Sequence, residues 1–303
     1  MFDFLISLIL ASLLIPQGFN FLLEKPAGYF YPKVELLGNP GPTRIINNSL
    51  GVETTAKSVL AIDETSGTIL FSKNHNQILP IASITKLMTV LVFLDNNPGW
   101  DKTVTISQED QRAGGIVYLL PGEQVSVKDL FYLTMVASSN EAAIALTRST
   151  GLEDFTAAMN SKAAALGMSE TYFLDPSGLN PANTASPLDL VKLAKVAFAQ
   201  TEILSALKTE TYEFTVLNNQ RRGKATNTDK LLDSFLNGTS YQVAGAKTGY
   251  LDEAGYNLLV RITKPGGPGV ILVLLGSVSQ IDRWQEAKGI IDWIFRNYQW
   301  VSS

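Results

Sequence analysis

Three short runs in the sequence pair hydroxyls with amines or amides at spacings that could serve one reaction: Ser83-Ile84-Thr85-Lys86, Ser138-Ser139-Asn140 and Lys247-Thr248-Gly249. On a helix, residues three apart share a face, so Ser83 and Lys86 can point into one pocket. A serine hydroxyl is a poor nucleophile until a base takes its proton. Lysine is such a base only when uncharged, and burial, the positive end of a helix or a second cation would each push Lys86 that way. A helix N-terminus also offers N–H groups to a developing oxyanion. Alone, Ser83 reads equally well as a helix cap. The same spacing recurs at Ser205-Ala206-Leu207-Lys208, inside an ordinary amphipathic stretch, where it reads as structural.

Ser138 follows the apolar run ending Met135-Val136-Ala137 and on its own fits a turn or a cap. Lys247 falls on a predicted strand. There the lysine offers a point charge, Thr248 a hydroxyl, and Gly249 room for a substrate backbone to come close, a combination suited to an anion. Its plain alternative is a solvated edge-strand lysine. Other chemistries are excluded by composition. Cys is absent and His75 is the one histidine, so thiol catalysis, Cys-type zinc and multi-His metal sites are ruled out. A formal charge of −4 lacks the basic footprint that nucleic acid or anionic lipid would need.

The elements that must carry these residues are legible in outline. Residues 58–63 and 68–73 are β-type runs joined by Glu64-Thr65-Ser66-Gly67, a predicted hairpin. An almost wholly apolar helix runs from Ser83 to about Leu94 and belongs at the centre of a domain. Residues 126–165 and 187–208 read as helical; 242–250, 256–263 and 270–276 read as strands; a final helix carries Trp284, Ala287, Ile291, Ile294 and Phe295 at helical spacing. Strands at both ends around a helical middle predict an α/β (α+β) fold: an antiparallel sheet closed by the two termini, beside a helical subdomain.

Ahead of this domain, residues 1–25 hold a mostly apolar run suited to a signal peptide or an N-terminal membrane anchor, although the usual basic flank is missing. Residues 26–56 are rich in Pro and Gly and read as a linker, with an N-terminal flap packed on the domain as the alternative. The domain itself is expected over 57–303.

Taken together and in this order, the three motifs resemble those of the low-molecular-mass penicillin-binding proteins that are serine-type D-Ala-D-Ala carboxypeptidases. Pro121-Gly122-Glu123, Ala165-Leu166-Gly167-Met168, Pro176-Ser177-Gly178-Leu179 and Ala254-Gly255-Tyr256-Asn257 are similar to that family too. The resemblance implies a β-lactamase/transpeptidase-like fold and no metal or organic cofactor. It implies Ser83 as nucleophile, Lys86 as base and Ser138 as proton relay, with Asn140 holding the substrate amide. Lys247 and Thr248 would bind the terminal carboxylate of a peptidoglycan stem peptide, with Gly249 beside them. The N–H groups of Ser83 and Tyr250 would form the oxyanion hole. It further implies β-lactams as covalent inhibitors, an exported location and membrane contact only through the N-terminal segment. Three features depart from the family pattern: Ser139, Glu141 and the Ile116-Val117 pair. A DD-endopeptidase acting on crosslinks shares every motif. A β-lactamase is a further alternative, since Asp175-Pro176-Ser177-Gly178-Leu179-Asn180 resembles its deacylation loop but is longer and has Asp for Glu.

Overall fold

Aliphatic runs from both ends of the chain meet in one five-stranded sheet. The structure, a computed structural model, describes residues 41–300. Strands β1 (Ser58–Asp63), β2 (Ile69–Lys73), β3 (Gln242–Leu251), β4 (Gly255–Thr263) and β5 (Gly269–Ser277) lie in the order β3-β4-β5-β1-β2, every pair antiparallel. The late strand β5 pairs with the early strand β1, Leu272 facing Ala61, and so joins the two ends of the chain as the sequence predicts.

Every residue of β1 and β5 is buried, which is why both read as continuous apolar runs rather than alternating ones. Alternate side chains serve two cores. Leu60, Ile62, Ile271, Val273 and Leu275 face the helical subdomain. Val59, Ala61, Val270, Leu272 and Leu274 pack against α7 (Gln280–Asn297) through Ile290, Ile291 and Ile294.

The helical subdomain is built around α1 (Lys86–Asp95), buried from Lys86 to Phe93. Around it stand α2 (Val127–Val136), α3 (Asn140–Ser149), α4 (Phe155–Ala165), α5 (Pro187–Ala197) and α6 (Thr201–Leu207). The stretch 126–165, legible only as helical, is therefore three helices. The first break falls at Ser138, whose φ of +57° lies in the left-handed region, and Ser139 then caps α3 by accepting the Ala142 N–H at 3.1 Å.

The expected signal or anchor at residues 1–25 and the first part of the linker lie outside the described residues. The remainder of the linker packs on the domain: Thr43–Arg44 pairs with Tyr298–Gln299, Trp293 donates to Ser49 Oγ at 2.6 Å, and Lys73 donates to the Thr54 carbonyl at 2.8 Å. Among the described residues no helix is long and apolar enough to cross a membrane.

Candidate active site

Ser83 sits in a short 3₁₀ turn, Ala82–Thr85, immediately before α1. The cap reading fails, because the residues in cap position are Ile81 and Thr85 and neither makes a capping bond. The turn is strained: Ala82 has φ +49°, a conformation that costs a non-glycine residue about 1–3 kcal/mol and survives only where its surroundings impose it. Two glycines leave room for it here. A Cβ on Gly178 would stand 2.3 Å from the Ala82 carbonyl oxygen, and one on Gly249 would stand 2.7 Å from the Ile81 oxygen and 3.1 Å from the Ser83 nitrogen. The close approach that Gly249 permits is thus made by the turn that carries Ser83, where sequence reasoning expected a substrate backbone.

Lys86, the first residue of α1, is fully buried. Its Nζ lies 3.0 Å from Ser83 Oγ, 2.8 Å from Asn140 Oδ1 and 2.6 Å from the Ser177 carbonyl oxygen. Burial lowers its pKa to about 7, against the opposing charges of Asp175 and Glu141. A neutral amine has two N–H bonds and one lone pair. With Asn140 Oδ1 and the Ser177 carbonyl accepting the two N–H bonds, the lone pair is left for the Ser83 hydroxyl to donate to.

Each acceptor has its own support. Asn140 opens α3 and donates through Nδ2 to the Gly114 carbonyl at 3.0 Å, which fixes its oxygen toward Lys86. The Ser177 carbonyl is aimed by Asp175, which accepts the N–H groups of Ser177, Gly178 and Asn180 at 2.6, 3.0 and 2.7 Å as well as the Ser177 hydroxyl. Asn183 ties this loop to the Ser83 turn, donating to the Asp175 carbonyl at 2.7 Å and to Thr85 Oγ1 at 3.1 Å. Glu141, one of the departures from the family pattern, accepts the Tyr118 N–H at 2.7 Å and so anchors the segment that carries Ile116 and Val117.

Lys247 reaches the same cleft from β3. It is 1% exposed and donates to Ser138 Oγ at 2.8 Å and to the Thr248 carbonyl at 3.1 Å. Burial, then the charges of Lys86 and Arg283, hold its pKa well below the ordinary lysine value. Thr248 Oγ1 donates to Thr228 Oγ1 at 2.9 Å. Tyr250 is half exposed, its ring stacked on Tyr256 with centroids 4.3 Å apart, and its hydroxyl donates to Asp252 at 2.5 Å.

The eight residues singled out in the sequence thus fall in one region. Ser83, Lys86 and Asn140 form one hydrogen-bonded group, and Ser138, Lys247 and Thr248 form another. Gly249 packs on the Ser83 turn, and Tyr250 follows it on the strand. Sequence reasoning missed Thr228, Arg283 and the lysine-binding role of the Ser177 carbonyl. A backbone oxygen leaves no residue-type signal, and Arg283 reads as one more polar position on an amphipathic helix. The second Ser-x-x-Lys lies elsewhere, with Ser205 Oγ 3.2 Å from the Tyr132 hydroxyl. His75 pairs with Ser72 Oγ at 2.6 Å on the β2 hairpin and takes no part in the cleft.

Comparison with known proteins identifies the family. The family model for D-alanyl-D-alanine carboxypeptidases matches residues 45–279. A D-alanyl-D-alanine endopeptidase of Pseudomonas aeruginosa is 34% identical over 246 residues, covering 80% of this chain and 78% of that one. One from Haemophilus influenzae is 40% identical over 210 residues, covering 67% and 69%. The crystal structure of the Streptomyces K15 DD-transpeptidase superposes with a TM-score of 0.73 at 29% identity, covering 82% of this chain and all of that one. The chain therefore belongs to the D-alanyl-D-alanine carboxypeptidase family, serine peptidases of the penicillin-binding protein kind.

Proposed function

We propose that this protein is a serine D-Ala-D-Ala carboxypeptidase that releases the terminal D-alanine of peptidoglycan stem peptides through an ester on Ser83. The observation that carries this reading is Lys86 Nζ, fully buried and 3.0 Å from Ser83 Oγ, with its other hydrogen-bond positions taken by acceptors.

Ser83 gives its proton to Lys86 and attacks the carbonyl carbon of the penultimate D-alanine. The N–H groups of Ser83 and Tyr250 receive the developing oxyanion; one such donor is typically worth about 10²–10³ in rate. As the peptide bond breaks, Ser138 relays a proton to the leaving amine of D-alanine. Water, deprotonated by Lys86, then hydrolyses the ester and restores Ser83. Lys247 and Thr248 hold the terminal carboxylate, the group that marks a chain end. Asn140 holds Lys86 and the substrate amide. β-Lactams acylate Ser83 and remain attached. Work on peptidoglycan is extracytoplasmic, and the apolar stretch within residues 1–25 serves as export signal or membrane anchor.

A second reading, DD-endopeptidase action on crosslinks, is favoured by the names of the two relatives above. The two are separated by mass analysis of products from uncrosslinked pentapeptide muropeptides and from crosslinked dimers. Free D-alanine with intact dimers supports the carboxypeptidase. Dimers cut to monomers without release of D-alanine would replace it with the endopeptidase.

A further inference from the structure

Behind the carboxylate-binding strand lie two buried ionisable groups, Arg283 and Asp229, that the reaction as described does not use. Arg283, in the first turn of α7, is 4% exposed, and its Nη1 donates to the carbonyl oxygens of Gly249 and Asn257, both at 3.3 Å. These two residues face one another across β3 and β4. The guanidinium lies 4.3 Å from the Trp284 ring centroid and 5.6 Å from that of Tyr256. Its Nε is buried without a hydrogen-bond partner. So is Oδ2 of Asp229, a residue 3% exposed whose Oδ1 accepts the Leu231 N–H at 2.9 Å. One orphan is a donor and the other an acceptor. Burial lowers the arginine to about 10, and Asp229 is the main charge opposing that fall. Burial raises Asp229 to about 6, opposed first by the Leu231 N–H and then by Arg283. The two orphaned atoms are not bonded to each other, so Asp229 bears on the guanidinium only through its charge.

The Gly249 carbonyl and the Tyr250 N–H belong to one planar trans peptide, in which they point in opposite directions. The carbonyl turns toward β4 and Arg283. The N–H turns to the outer edge of β3, the end strand of the sheet, where Gly249 abuts the Ser83 turn. A cation bonded to a carbonyl polarises the whole amide and strengthens its N–H as a donor.

We propose that Arg283 is a positioning residue for the oxyanion-binding peptide: its guanidinium holds and polarises the Gly249–Tyr250 unit from behind and does not touch substrate. The inference rests on the acyl-enzyme reading above and adds the origin of one oxyanion donor's strength.

The test compares wild type with Arg283→Gln, which removes the charge, and with Arg283→Lys, which keeps it. Three quantities are read: the acylation rate with benzylpenicillin, kcat and KM on a D-Ala-D-Ala peptide, and the infrared carbonyl stretch of the Ser83 acyl-enzyme made with carbonyl-labelled penicillin. For Arg283→Gln, acylation and kcat fall about tenfold, less than the loss of a whole donor, while KM stays within about twofold. The ester carbonyl band moves to higher wavenumber because its hydrogen bonds have weakened. An unmoved band overturns the proposal. So does a raised KM with kcat retained, which would place Arg283 directly on the substrate carboxylate. If Arg283→Gln does not fold, the same readouts on Arg283→Lys decide. Failure of wild type to acquire penicillin at Ser83 would instead overturn the acyl-enzyme reading itself.

Discussion

Lys86 and Lys247 are both buried amines in one cleft, at 0% and 1% exposure, yet their surroundings differ in sign. Lys86 feels two carboxylates, Asp175 and Glu141, which limit the fall that burial imposes. Lys247 feels two cations, Lys86 and Arg283, which add to it. Its hydrogen bonds go to neutral oxygens only, the Ser138 hydroxyl and the Thr248 carbonyl. The first setting holds an amine near neutrality, where it can lose and regain a proton during turnover. The second makes the ammonium form of Lys247 costly until an anion arrives, and in the proposed reaction a substrate carboxylate supplies it. In the proposed reaction the same residue type serves as base in one place and as receptor in the other, through the charges arranged around it.

The largest effect that would break this contrast is at the base. Lys86→Met removes the proton acceptor and should lower kcat/KM by about 10³, measured by D-alanine release from a pentapeptide. A loss below tenfold would mean that another group takes the Ser83 proton. Next comes the receptor. Lys247→Gln should lower kcat/KM about 10²-fold for a peptide ending in a free carboxylate but leave the corresponding C-terminal amide nearly unaffected. Equal losses on both substrates would show that Lys247 does not read the carboxylate.

A smaller effect is the pH dependence. The base must be neutral, so kcat/KM should rise with pH through about 7 as Lys86 loses its proton. A charged Lys247 is needed to hold the carboxylate, so the profile should fall again at a pH below the ordinary lysine range. Asp175 raises Lys86, and Asp175→Asn should therefore move the rising limb to lower pH. A limb that stays in place or moves up would remove Asp175 from the account. The smallest effect is a control: Ser205→Ala, at the exposed second Ser-x-x-Lys, should leave acylation within about twofold and stability within about 0.5 kcal/mol.

Much of this contrast was legible before any coordinates. The residue types and order of the three motifs pointed to the cleft, and the apolar runs predicted the sheet that joins them. Two things were hidden. The first is the break at Ser138. No glycine or proline marks it, and the left-handed φ there is held by tertiary contacts, yet it lets Ser138 reach Lys247 while Asn140, two residues on, reaches Lys86. The second is the support behind the motifs. Asp175 acts by aiming a carbonyl and Arg283 by gripping one, and a sequence does not record which backbone oxygens a side chain will meet. The glycines lay between these cases. Gly249 was visible as a residue needing close approach, but only the fold reveals that the approaching group is the Ser83 turn.

The central claim is that Ser83, made nucleophilic by an uncharged Lys86, forms a covalent acyl-enzyme. Intact-protein mass spectrometry after benzylpenicillin treatment, followed by peptide mapping, tests it on wild type and Ser83→Ala side by side. A single added penicilloyl mass on the peptide containing Ser83, in wild type only, is the expected result. An adduct of equal yield in Ser83→Ala, or one mapped to another residue, would contradict it.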